Sequence, residues 1–338
     1  MPDCAHARVS AAGPLARARR LAPLHALAVA TLLACGGDST APARDTPGVL
    51  LVVRGSGKTA EIYAMRPDGS ESRQLTRNAV LDDDPDWSLD GNRIVFVSAQ
   101  DSTPGAPTRR PEIFVMNADG SDVHRLLETV APARHPRWSP DGQRIAFARY
   151  DPEVQGYRPY VMNSDGSNVR LLTASPIENF SPEWSPDGVR LLFLSNRAPR
   201  FWWTMYVISA DGSGERQLAG SAACAANVSG ARWSPDGSRI AYACDDRFGG
   251  IFIIRADGTQ PTPVSTSTAG EAGTDIGPVW SPDGRRLAFT RLLANSGTIA
   301  FPAPPQWRAY VADLSTGAVT RVTAEDANDV VHAWRAAR

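Results

Sequence analysis

Trp138-Ser-Pro-Asp-Gly142, followed at once by Gln143 and the apolar run Arg144-Ile-Ala-Phe-Ala148, decides the architecture of this 338-residue chain because it recurs. The same unit reads Trp87-Ser-Leu-Asp-Gly91, Trp184-Ser-Pro-Asp-Gly188, Trp233-Ser-Pro-Asp-Gly237 and Trp280-Ser-Pro-Asp-Gly284, and Trp334 ends the series without its turn. Successive tryptophans stand 51, 46, 49, 47 and 54 residues apart. A second element reads Ile62-Tyr-Ala-Met-Arg-Pro-Asp-Gly-Ser70, Ile113-Phe-Val-Met-Asn-Ala-Asp-Gly-Ser121 and Tyr160-Val-Met-Asn-Ser-Asp-Gly-Ser167. It returns at Tyr206, at Ile251 and, in degenerate form, at Tyr310. Proline presets φ, aspartate favours the next turn position and glycine takes positive φ, so each element marks a hairpin. Each unit therefore predicts four short strands: A with the tryptophan, B with the apolar run, C with the Ile-Phe-Val-Met type and D with the Arg-Gln-Leu-Thr type. Four-stranded units of about 40–50 residues are propeller blades.

The ends of the repeat supply its closure. Residues 48–76 provide strands B, C and D of a unit that has no strand A, and Asp329-Val-Val-His-Ala-Trp334 is a strand A with nothing after it. Joining the two predicts an all-β, six-bladed β-propeller over residues 48–338, its first blade closed by the C-terminal strand, with no free sheet edge left by an open array.

These units resemble the WD-like propeller repeats of the TolB family and of the propeller domains in prolyl-oligopeptidase-type enzymes, over residues 48–335. The resemblance specifies the fold and says little about function. No Gly-x-Ser-x-Gly elbow is present, so serine peptidase activity has no carrier. TolB has a globular domain before its propeller, which residues 36–47 are too short to form. What the resemblance implies is the binding of partners on a propeller face in the bacterial envelope. Gly55-Ser-Gly-Lys-Thr59 is not a phosphate loop, because Val52 stands where the pattern requires glycine.

The 35 basic and 36 acidic residues nearly cancel, which gives no electrostatic reason to expect nucleic acid. Four arginines between Arg8 and Arg20, an apolar stretch over 21–34 and then Cys35 describe an export signal. Leu32-Leu-Ala-Cys35 resembles the lipobox of bacterial lipoproteins. The expectation is a lipoprotein signal peptide over 1–34, lipid on Cys35 and a flexible tether over 35–47. An ordinary signal cut near Cys35 is the alternative. Gly36, where aspartate would retain a lipoprotein at the inner membrane, implies the periplasmic side of the outer membrane. Cys4 leaves with the signal, so Cys224 and Cys244 remain to form one disulfide. Both fall on the same face of one blade.

With strand A innermost, the A–B and C–D turns lie on one face and the B–C and D–A loops on the other. The uniform turns mark a structural face; irregular loops on a rigid scaffold carry binding groups. Arg109, Arg110, Tyr157, Phe201, Trp202, Trp203 and Trp307 are the candidates there, being of types enriched at interface hot spots; the alternative is that they pack the loops onto the blades. Counting three to five residues before each tryptophan gives Asp82, Asp83 and Asp84, then His135, then Asn179 and Ser181, then Asp275 and Asp329. Of these, Asp84, His135, Asp275 and Asp329 are expected to ring the channel mouth, where converging oxygens offer a site for Ca²⁺; turn chemistry at strand entries is the competing explanation. His332 reads as a strand residue away from the mouth. No other cofactor is expected and no catalytic residue is assigned. The functional reading is a monomeric, membrane-tethered envelope propeller that binds a protein or peptide without catalysis. The alternative is a glycan-binding module or a metal-dependent hydrolase or lactonase working at the channel mouth.

Overall fold

Strand B of every unit is apolar at nearly every position because both faces of its sheet are covered, as in any strand buried between two layers. In Arg93–Ser98, Ile94 and Phe96 enter one core with Leu51, Ile62 and Trp87, while Val95 enters another with Trp138 and Phe147. The alternation of side chains along a strand thus feeds two cores at once. Six such cores fill the six spaces between neighbouring blades, the last holding Leu50, Val52, Val279, Val331 and Trp334.

The computed structural model describes residues 48–55, 59–78, 80–99, 110–127, 131–175, 177–197, 202–218, 224, 227–245, 250–265, 273–293, 306–324 and 328–337. The expected signal, the lipid-bearing Cys35 and the tether lie outside the described residues, as do Arg109 and Phe201. Among the described residues the strands form six four-stranded antiparallel sheets and no helix. Their innermost strands are Asp82–Trp87, Ala133–Trp138, Asn179–Trp184, Asn227–Trp233, Gly273–Trp280 and Asp329–Arg335. Each contacts the innermost strand of the next blade, and Gly273–Trp280 returns to Asp329–Arg335, closing the ring.

The first blade is assembled from both ends as predicted. Val49–Arg54 pairs with Glu61–Met65 on one side and with Asp329–Arg335 on the other. Gly48 admits no side chain, since a Cβ there would fall 2.0 Å from the Trp334 indole nitrogen.

A second ring reinforces the first. The arginine that opens strand B stacks on the tryptophan of the following blade: Arg93 on Trp138, Arg144 on Trp184, Arg190 on Trp233, Arg239 on Trp280 and Arg286 on Trp334. Blade one has Val49 at that position, and Arg335 from its innermost strand covers Trp87 instead, at 4.3 Å. Contacts of this kind contribute roughly 0.5–1 kcal/mol each when exposed.

The Trp-Ser-Pro-Asp-Gly turn is held by its serine. Ser139 is fully buried; its hydroxyl donates to Asp141 and accepts the Arg144 amide. The same pair of bonds recurs at Ser88, Ser185, Ser234 and Ser281. Hydrogen bonds from serine and from turn amides favour the ionised carboxylate. They hold Asp90 and Asp236 down at about 2, and the equivalent bonds in the second turn hold Asp313 there too. A folded-state value below the unfolded one, near 3.9, gives stability that is complete above that pH and lost as pH falls through the folded value. The contribution of these turns should therefore stay level down to about pH 4 and decline progressively toward pH 2. Asp90→Asn and Asp236→Asn together should flatten the matching decline in melting temperature, and an unchanged slope would remove the turns as its cause.

Candidate functional site at the channel mouth

Each innermost strand carries one extra residue. In blade two the register passes from Asp83↔Val97 to Asp86↔Val95, and blades three to six repeat the slip at the same place. Such a bulge leaves a residue unpaired and re-aims its side chain. The residue three before the tryptophan takes positive φ there: Gly230 and Gly277 at 57° and 59°, but also Asp84 at 52°, His135 at 51° and Ser181 at 57°. Glycine adopts this conformation freely. For the other three it is strained by about 1–3 kcal/mol each. Proline follows in four of the five blades, at a point where the missing amide costs no ladder bond. In blade one the slip falls one residue later, between Val331 and Ala333, and throws out His332.

The result is a cluster on the axis side of blades one to three. His135 Nδ1 lies 3.2 Å from Asp84 Oδ1, and the His135 amide donates to Asp84 Oδ2 at 3.3 Å. His332 sits between two carboxylates, with Nε2 3.4 Å from Asp83 Oδ1 and Nδ1 3.7 Å from Asp84 Oδ1. The Asp84 amide donates to Asp83 Oδ1. Burial works to raise the Asp84 pKa, but the charge and hydrogen bond of His135, with His332 and Arg137, outweigh it and hold the group well below the ordinary carboxylate range. Burial, and then the Asp84 charge beside it, push Asp83 up. Burial depresses His332, against the pull of both carboxylates.

Directly before the tryptophans a charged arc runs around the axis: Asp86, Arg137, Glu183 and Arg232, alternating in sign from blade to blade. Asp86 accepts the Trp138 amide at 2.9 Å. Glu183 takes Arg232 Nη1 at 2.6 Å and Arg137 Nε at 3.4 Å. Burial raises the pKa of Asp86 and Glu183 and lowers that of Arg232.

The four residues expected at the mouth therefore divide. Asp84 and His135 meet. Asp275 and Asp329 do not join them, and this corrects the expected ring. Both are fully buried and pair across the register with arginines of strand B. Arg291 donates to both oxygens of Asp275 at 2.6 and 2.9 Å, and Arg54 to both of Asp329 at 2.7 and 2.8 Å. Asp82 and Asn179 occupy the same position in their blades and are likewise engaged, with Ser98 and Arg197. The second correction is His332, which enters the cluster through the displaced bulge; an offset counted from the tryptophan treats all blades alike and passes over it.

On the loop face, Phe180 lies 5.5 Å from the His135 ring and meets Trp203 edge-on at 4.4 Å. Trp203 also packs on the core between blades four and five. Arg134 donates to the Tyr157 hydroxyl at 3.2 Å, and Tyr157 packs edge-on against Tyr150. The Trp307 amide donates to Asn328 at 2.8 Å. Trp202, Trp203, Tyr157 and Trp307 are half-buried and Arg110 is exposed. Cys224 and Cys244 are joined by a disulfide, with their Cα atoms 5.6 Å apart.

The chain matches the model of the TolB β-propeller domain over residues 24–219 and again over 105–302. An uncharacterized protein of Agrobacterium fabrum is 33% identical over 94 residues, which are 28% of this chain and 30% of that protein. The match thus spans less than a third of that relative. TolB from Acinetobacter baumannii superimposes with a TM-score of 0.66 at 17% identity, covering 86% of this chain and 66% of that one. A structure assigned as TolB from Agrobacterium tumefaciens gives 0.63 at 18% identity, covering 86% and 91%. At these identities the superpositions speak for the fold alone.

Proposed function

This chain belongs to the TolB β-propeller domain family, and from that premise we propose that it is a non-catalytic binding propeller of the bacterial cell envelope. In this reading it is tethered by lipid on Cys35 and takes a protein or peptide segment on its loop face. The supporting observation is the lining that runs outward from the channel mouth: Phe180 against Trp203 on one side, Arg134 against Tyr157 on the other. Rings and guanidinium groups that are half-buried are already ordered by their own blade. They lose little conformational freedom when a partner covers them, which favours association.

Affinity capture from envelope extracts tests the reading, with wild type compared against Tyr157→Ala and Trp202→Ala. Loss of a hot-spot aromatic should weaken the recovered complex by tenfold or more. A partner held equally by wild type and both variants, all with the same melting temperature, would remove the loop face as the site.

A further inference from the structure

We propose that Asp83, Asp84 and His332 bind one divalent transition-metal ion of the zinc or manganese class at the channel mouth, with His135 orienting Asp84 from behind. One donor atom from each of the three ligands lies within 4.8 Å of the others. Ligands about 2.0–2.2 Å from a tetrahedral ion stand about 3.3–3.6 Å from each other. The His332 Nε2 to Asp83 Oδ1 separation of 3.4 Å already matches.

The second observation is the state of His332 itself. Its Nε2 is a buried atom with no hydrogen-bond partner. Both ring nitrogens face carboxylate oxygens, at 3.4 and 3.7 Å, longer than a good hydrogen bond. A cation seated between Nε2 and Asp83 Oδ1 would bond to both atoms.

The nearby positive charges do not perform this task. Arg137 Nη1 is spent on the backbone carbonyls of Pro136 and Asp84, and its Nε on Glu183. Arg232 is held by Glu183. Arg134 reaches Tyr157. Among the described residues no arginine is paired with the carboxylate of Asp83 or Asp84. The outer shell of a metal site is present as well, since ligating carboxylates are characteristically fixed by further hydrogen bonds. Asp84 Oδ2 accepts the His135 amide, and Asp83 Oδ1 accepts the Asp84 amide. Imidazole with carboxylate selects zinc or manganese over calcium, whose sites are built from oxygen alone.

The site does not depend on the loop-face reading, because none of its three ligands belongs to the aromatic lining. Purified full-length chain, stripped with chelator and dialysed, should bind Zn²⁺ or Mn²⁺ with a stoichiometry of one by calorimetry and melt at a higher temperature when loaded. His332→Ala and Asp83→Asn should each weaken binding at least 100-fold, while Asp141→Asn in an exposed turn leaves it unchanged. Should either variant fail to fold, Co²⁺ added to wild type gives an independent reading through a paramagnetically shifted imidazole proton. No stoichiometric binding, binding of Ca²⁺ alone, affinity retained by a folded His332→Ala, or Co²⁺ bound without a shifted imidazole signal would each overturn the proposal.

Discussion

Trp334→Ala is expected to destabilise the propeller by about 3–5 kcal/mol, the range for removing a buried tryptophan. Removal of residues 329–337 should abolish cooperative folding. The indole is 9% exposed and sits in the core between blades six and one, under the Arg286 guanidinium. Its loss opens a cavity where the last blade meets the first, beside the seam at which the closing strand pairs with Val49–Arg54. Deletion goes further: Val49–Arg54 loses its inner neighbour, Arg54 loses both bonds to Asp329, and Trp87 loses Arg335. Urea denaturation of the point variant and calorimetry of the truncation measure the two effects. A truncated chain that melts within a few degrees of wild type would mean that the ring does not need its closing strand.

Asp275→Ala should cost about 3–5 kcal/mol, the range for breaking a buried ion pair by removing one partner. Arg291 is 1% exposed and cannot reach water; it keeps the face of Tyr310 but loses two carboxylate bonds. The Ser265 hydroxyl loses its acceptor as well. The double variant Asp275→Ala/Arg291→Met should recover much of the loss, since apolar replacements of a buried pair are often neutral. At the equivalent place in blade one, the Arg54 side chain is 34% exposed, so Asp329→Ala should be milder. The comparison by urea denaturation is informative because the two pairs share their geometry and differ in solvent access. Equal losses at the two sites would show that burial of the arginine is not what sets the cost.

The strands, turns and closure were legible because each follows from a local rule repeated six times. Pro-Asp-Gly fixes a turn, an apolar run fixes a strand covered on both faces, and a strand A without a successor has only one place to go. The channel cluster was half legible. Asp84 and His135 stand three residues before their tryptophans, and a constant offset found them. That offset failed at His332, where the bulge moves by one residue. Counting three to five residues before the tryptophan as one group also did not separate Asp84, at three, from Asp275 and Asp329, at five. What separates them is their place on the strand: Asp275 faces Arg291 across the register, whereas Asp84 falls in the bulge between Asp83 and Asp86 and has no register partner. Arg54 and Arg291, in the strands B that face Asp329 and Asp275, were the available sign that these acids were already committed.

The first blade has a consequence for how the molecule is made. Arg54 and Asp329, which grip one another in that blade, are separated by 275 positions. Five blades can form from nearest-neighbour hairpins as the chain emerges N-terminal end first, but the first cannot acquire its inner strand until Trp334 has emerged. Until then the emerging chain has two unfinished ends, and the final step is a long-range capture that closes the ring. Folding is therefore gated by the arrival of one late segment, and a chain stalled before it should remain open to chaperones and proteases.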